Sequence, residues 1–260
     1  MRLDTLIKGL EEFCPPEYAE KWDNCGLQAG SYDQEVKKVY IALDATGDVI
    51  RKAEESGADL ILTHHPLLFD GIKHVTDRDF VGKRILEIIK SGMALYAMHT
   101  NFDVAAMADA AADMLGLKEK SILEVTGTDE KGPHGIGRIG RLEDAGTLME
   151  TARMVKKAFS IPSVRFYGDP SMTVKSAAIL PGSGKSEIDL ALCGGADVMI
   201  TGDISHHAGI DAVEKGIAVI DAGHYGVEKL FVPYMADYLK QHYPDLETVL
   251  QEEKEYFSEV

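Results

Sequence analysis

Two adjacent histidines, His64 and His65, close the apolar run ADLILTHH (58–65), and Pro66 stops it there. Such a run reads as a buried strand, an environment that penalises an unpartnered imidazole. Other chemistry-bearing residues share this placement. His99 and Asp103 stand in HTNFD after MALYAM, Asp203 ends ADVMITGD, and His224 and Glu228 stand in HYGVE after GIAVIDAG. Both pairs have i,i+4 spacing, so a helix starting there presents each pair on one side. Neutral imidazoles with carboxylates suit Zn, Fe, Mn or Ni, and not Ca or Mg alone. A lone strand-end histidine is usually structural, but His64, His65, Asp103, His224 and Glu228 are five such residues at matching places. Together they can hold two divalent ions, with a carboxylate bridging a pair about 3.5–4 Å apart, as in hydrolytic two-metal sites. His99 reads either as a direct ligand or as a residue facing the substrate.

The segments that must position these residues alternate in type. KVYIALDAT (38–46), ADLILTHH and MALYAMHTNFD (93–103) read as strands. GDVIRKAEESG (47–57), DRDFVGKRILEIIKSG (77–92) and VAAMADAAADMLG (104–116) read as helices. The order repeats after residue 174, with strands at VKSAAILPGSG, ADVMITGDISHH and GIAVIDAGHYGVE. GADLILTHH (57–65) aligns with GADVMITGD (195–203), and HTNFD with HYGVE. The expectation is an α/β fold of two related halves, from duplication, with a metal site in the cleft between them, at the carboxyl ends of the strands. The halves are drawn at 1–125 and 126–260. The Gly-rich stretch 124–143 reads as the crossing, residues 144–168 as one helix and one strand, and LETVLQEEKEYFSEV as an acidic helix or fraying end.

Several tempting motifs fail. GIGRIG (135–140) satisfies GxGxxG but opens no helix after a strand, so it is not a dinucleotide fingerprint. PGSGKS (181–186) lacks the first Walker A glycine, because Ile179 stands there. Its turn, with Lys185 and Ser186, reads as structural, with anion binding by backbone N–H groups as the lesser alternative. GxSxG does not occur. His206 and His207 in SHHAG fall at an expected helix start and read as solvent-exposed or capping neighbours of the site. In WDNCGLQAG (22–30), Trp22 could line a pocket for a planar ligand, but packing against the core is the preferred reading.

Composition bounds the partners. The net charge of −16, with no compensating basic cluster, repels phosphate backbones and argues against nucleic acid. It is compatible with metal cations and with a small-molecule substrate held by them. There is no run of membrane-spanning length and no basic-then-apolar leader. The three cysteines form no CxxC pair, which fits a reducing compartment, and a cytoplasmic location is expected.

Taken together, WDNCGLQAG, LTHHPLLF, HTNFD, TGD followed by HH, and DAGHYGVE resemble the Nif-three-like dinuclear-metal-centre family, the GTP cyclohydrolase I type 2 homologues. The likeness runs from the first helix to about Tyr234. It places the family's metal ligands on His64, His65, Asp103, His224 and Glu228, with Glu228 helping to hold both ions. It also implies a homohexameric ring and metal-dependent opening of the purine ring of GTP with loss of formate. Phosphoester or amidine hydrolysis would use the same centre, and His99 is then the candidate proton donor or acceptor. The rival class is a non-catalytic metal-binding or regulatory scaffold, whose ligand shell would be closed. Longer relatives carry an inserted middle domain; residues 124–175 are too few for one. Cys25 stands where an aliphatic residue is expected.

Overall fold

A computed structural model describes residues 1–254. Its first part runs α1 (Leu3–Phe13), β1 (Gly26–Ala29), β2 (Lys38–Ala42), α2 (Gly47–Ser56), β3 (Leu60–Thr63), α3 (Phe80–Lys90), β4 (Ala94–Ala97) and α4 (Thr100–Phe102). After a π-type turn over Asp103–Met107 come α5 (Ala108–Met114), β5 (Lys118–Asp129), β6 (Gly132–Thr147), α6 (Leu148–Ala158), β7 (Arg165–Tyr167) and β8 (Thr173–Ser183). Then follow α7 (Ile188–Cys193), β9 (Val198–Gly202), α8 (His206–Lys215), β10 (Ala218–Asp221) and α9 (His224–Glu228), and finally α10 (Phe231–His242) and β11 (Glu247–Leu250). Among the described residues no helix is long and apolar enough to cross a membrane.

The chain forms two compact α/β units, 1–105 with 231–260, and 106–230. The division therefore differs from a single crossing at 125/126. The physical reason is β11, which returns to pair in parallel with β2. Gln251 secures it, its amide N–H donating to Ile41 O (2.8 Å) and its side-chain oxygen accepting from Leu43 N (2.9 Å). The acidic tail is thus a strand over 247–250, and residues 255–260 of the expected tail helix lie outside the described residues.

In the first unit the strand order is β1-β4-β3-β2-β11, parallel except for β1. In the second it is β5-β6-β8-β9-β10-β7, with β8, β9 and β10 parallel and β7 antiparallel to β10. The order β1-β4-β3-β2 therefore matches β7-β10-β9-β8, each with an antiparallel strand beside the last parallel one. Small contacts repeat as well. Asp59 Oδ2 accepts from the amides of Lys37 and Lys38, and Asp197 Oδ2 from those of Lys175 and Ser176, at 2.8 and 2.9 Å in both cases.

Local sequence accounts for these elements. Leu3, Leu6, Ile7 and Leu10 form the buried stripe of α1, each fully buried side chain stabilising by roughly 1.5–3 kcal/mol. Thr46 caps α2 by accepting from Val49 N, and Gly57, left-handed at φ 71°, ends it. The all-buried patterns of β3, β4, β9 and β10 are those of parallel strands covered on both faces.

The segment 124–143 is a long antiparallel hairpin, β5 with β6, and not an open crossing. Its glycines obscured the strand pattern, yet they serve packing: a Cβ on Gly135 would lie 1.8 Å from Glu124 O. Arg138, buried at the centre of GIGRIG, donates to both carboxylate oxygens of Asp109 (3.0 and 2.8 Å). That motif is structural.

Candidate metal centre

In the first unit the predicted residues collect at the carboxyl ends of β3 and β4. His64 is fully buried, and one ring nitrogen from each of His64, His65 and His99 lies within 4.8 Å of the other two. Asp103, in the π-type turn after α4, has Oδ1 3.6 Å from His64 Nε2. Each ring is held through Nδ1. His64 Nδ1 is 2.8 Å from Met98 O, His65 Nδ1 is 2.9 Å from Asp44 Oδ1, and His99 Nδ1 is 2.8 Å from Asp23 Oδ1. A carbonyl oxygen only accepts, so His64 donates from Nδ1, and Nε2 is the ring nitrogen turned toward Asp103.

Asp23 explains the rigidity of His99. Its Oδ2 accepts from the Thr100 amide (3.0 Å), the Thr100 hydroxyl (2.5 Å) and the Cys25 thiol (3.0 Å). Burial alone would raise this carboxyl, but the hydrogen bonds from His99 and Thr100, with the charge of His99, hold it far below the usual range. It is therefore a carboxylate at neutral pH. The Cys25 thiol is pushed up to about 12 by burial first and by Asp23 second. It stays protonated and donates, which removes it as a nucleophile.

In the second unit Asp221 ends β10 and accepts from the Gly223 amide (3.1 Å), and Gly223 takes φ 74° to start α9. One helical turn then sets His224 Nε2 2.9 Å from Glu228 Oε2, as the i,i+4 spacing predicts. His224 Nδ1 is 2.8 Å from Asp203 Oδ2, and Asp203 takes φ 57° to place that carboxylate. Gly182, left-handed at φ 75°, leaves the space beside Glu228, since a Cβ there would lie 2.5 Å from Glu228 Oε1.

The donor set fits a divalent metal. The predicted histidine ligands have Nδ1 engaged by an oxygen, the usual arrangement that fixes a metal-binding imidazole. In each unit an Nε2 faces a carboxylate oxygen, His64 toward Asp103 and His224 toward Glu228. An imidazole nitrogen beside a carboxylate oxygen is a donor pair that suits a divalent cation.

The strand register shifts one sequence alignment. Ala97 pairs with Thr63 as Asp221 pairs with Thr201, so His99 corresponds to Gly223 and not to His224. Asp44 was missed as the partner of His65, because an aspartate after a strand has no distinguishing spacing. Trp22 is 57% exposed, so the expected core packing is wrong; its ring stands against Phe69 and His99. His206 and His207 are exposed in the first turn of α8, where Ser205 is the cap. In the turn after β8, the Gly184 amide donates to Thr201 Oγ1 (2.8 Å), as a structural turn requires.

The family model for Duf34/NIF3 (NGG1p interacting factor 3) matches residues 1–255. A Clostridium acetobutylicum protein named GTP cyclohydrolase 1 type 2 homolog is 39% identical over 230 residues, covering 88% of this chain and 85% of its own length. A Clostridium perfringens protein of the same name is 35% identical over 230 residues, covering 88% and 87%. The crystal structure of Staphylococcus aureus SA1388 superposes with a TM-score of 0.91 at 30% identity, covering 100% of this chain and 99% of that one.

Proposed function

The chain belongs to the Duf34/NIF3 family, and on that premise we propose that it is a dinuclear-metal-dependent hydrolase acting on a purine nucleotide ring or a related substrate. His64, His65, Asp103, His224 and Glu228 are the residues that would hold the ions, as the resemblance implies, and Zn, Fe, Mn and Ni suit this donor set. The carrying observation is the paired geometry of Nε2 against a carboxylate with Nδ1 fixed by a second oxygen, seen in both units. Ions held there would supply Lewis acidity and lower the pKa of a bound water toward neutrality.

The chain's own residues do the rest. Asp44, Met98 O and Asp203 orient three imidazoles. His99 takes or gives a proton at Nε2, while the Asp23 carboxylate stabilises the imidazolium through Nδ1. The cytoplasmic hexameric ring that the resemblance implies belongs to the same proposal. GTP is the first substrate to try because the curated relatives carry its name.

The test is turnover of GTP and of model phosphoesters by metal-loaded protein, with His99→Gln alongside. Turnover that falls about 100-fold or more in His99→Gln, with metal content kept, supports the reading. A metal-loaded protein with no turnover on any of them supports the non-catalytic scaffold instead.

A further inference from the structure

The aromatic pair beside His99 has no part in the metal reading. Trp22 and Phe69, 57% and 50% exposed, have ring centroids 5.7 Å apart with planes inclined by 40°. Each stands edge-to-face with His99, at 6.0 and 6.2 Å. The pair is also braced. Asn24 Nδ2 donates to Leu68 O (2.5 Å), Gln28 Oε1 accepts from the Leu68 amide (3.0 Å), and Gln28 Nε2 donates to Asn24 O (2.6 Å). Both backbone groups of the residue before Phe69 are thus held by the same short segment that carries Trp22. Two large exposed rings thus stand on backbone segments that three polar contacts tie together.

We propose that Trp22 and Phe69 form a stacking platform for the planar heteroaromatic ring of the substrate, beside the proton-transferring His99. This rests on the hydrolase reading for its substrate class, a nucleobase. The rings are too close for a base to slide between them, which needs two contact distances, roughly 7 Å. The base therefore lies on their exposed faces, as on a single-stranded nucleic-acid stacking platform. Read this way, WDNCGLQ is one device: Trp22 supplies the face, Asp23 fixes His99, and Asn24 and Gln28 fix the loop bearing Phe69.

Trp22 is the only tryptophan in the chain, so its fluorescence reports on this place alone. Guanosine, GTP and ribose 5-phosphate are titrated into the full-length protein, with metal content measured on the same preparation. Guanosine and GTP are expected to quench saturably and ribose 5-phosphate not to. Phe69→Ala should weaken guanosine by at least about fivefold and Phe69→Tyr should restore it. The proposal is overturned by absence of saturable quenching, by equal quenching with ribose 5-phosphate, or by indifference to Phe69→Ala. Emission that ignores all three compounds but shifts on dilution also overturns it, and assigns the pair to contact between copies. Phe69-dependent quenching in a protein that takes up no metal keeps the platform and removes the hydrolase reading. A metal-loaded but unquenched protein does the reverse.

Discussion

Asp203 carries a left-handed backbone, φ 57°, at the end of β9 so that its carboxylate can reach His224 Nδ1. Such a conformation in a non-glycine residue is a cost kept where the side chain is needed. Asp203→Gly separates the two effects. The melting temperature is expected to stay the same or rise, while affinity for Zn falls about 10–100-fold. Unchanged affinity in a competition titration would reduce Asp203 to a turn residue. Glu187 supplies an independent test of pH dependence. Burial first, and the charge of Glu124 second, raise its carboxyl above the ordinary value. A raised folded-state pKa means that the penalty is absent below about pH 4, where both states are protonated, and complete above the folded value. Glu187→Gln should therefore melt higher than wild type at pH 7 and with it near pH 4. A gap that is equal at both pH values would contradict the assignment.

Among the elements, the repeated lead-in GAD is the most telling. Asp59 and Asp197 each bind two successive amides at the start of the preceding strand, β2 and β8 respectively. Each Asp→Ala should cost about 2 kcal/mol in urea unfolding, because a charge-assisted pair is lost and two amides are left without their acceptor. A cost in one unit and none in the other would argue against equivalent roles. Most elements were legible because periodicity reports burial: the stripe of α1 and the apolar runs of β3 and β9 can be read directly. The hairpin of β5 and β6 was hidden because glycines break the alternation, and β11 because acidic residues flank it while its pairing with β2 is set over two hundred residues away. The candidate ligands were legible because histidine at a strand end is anomalous. Of their oxygen partners, Asp203 was read as a strand-end carboxylate but not as the partner of His224, and Asp44 and Met98 O were not singled out, since nothing about an aspartate or a carbonyl marks the ring that it will orient.

At the scale of the whole chain, the matching strand orders β1-β4-β3-β2 and β7-β10-β9-β8 go with chemistry placed at the same strand ends in both units. His64 and His65 after β3 correspond to Gly202 and Asp203 at the end of β9, so one copy supplies imidazoles where the other supplies a tight approach and an orienting carboxylate. The net charge of −16 fits a molecule that recruits cations. The central claim is that His64, His65, Asp103, His224 and Glu228 hold two ions. Elemental analysis of purified wild type, His65→Ala and Glu228→Ala tests it most directly. Roughly two ions per chain in wild type, with a clear loss in either variant, is the predicted result. A folded wild type that holds no metal and takes up none when Zn, Fe, Mn or Ni is supplied would contradict it.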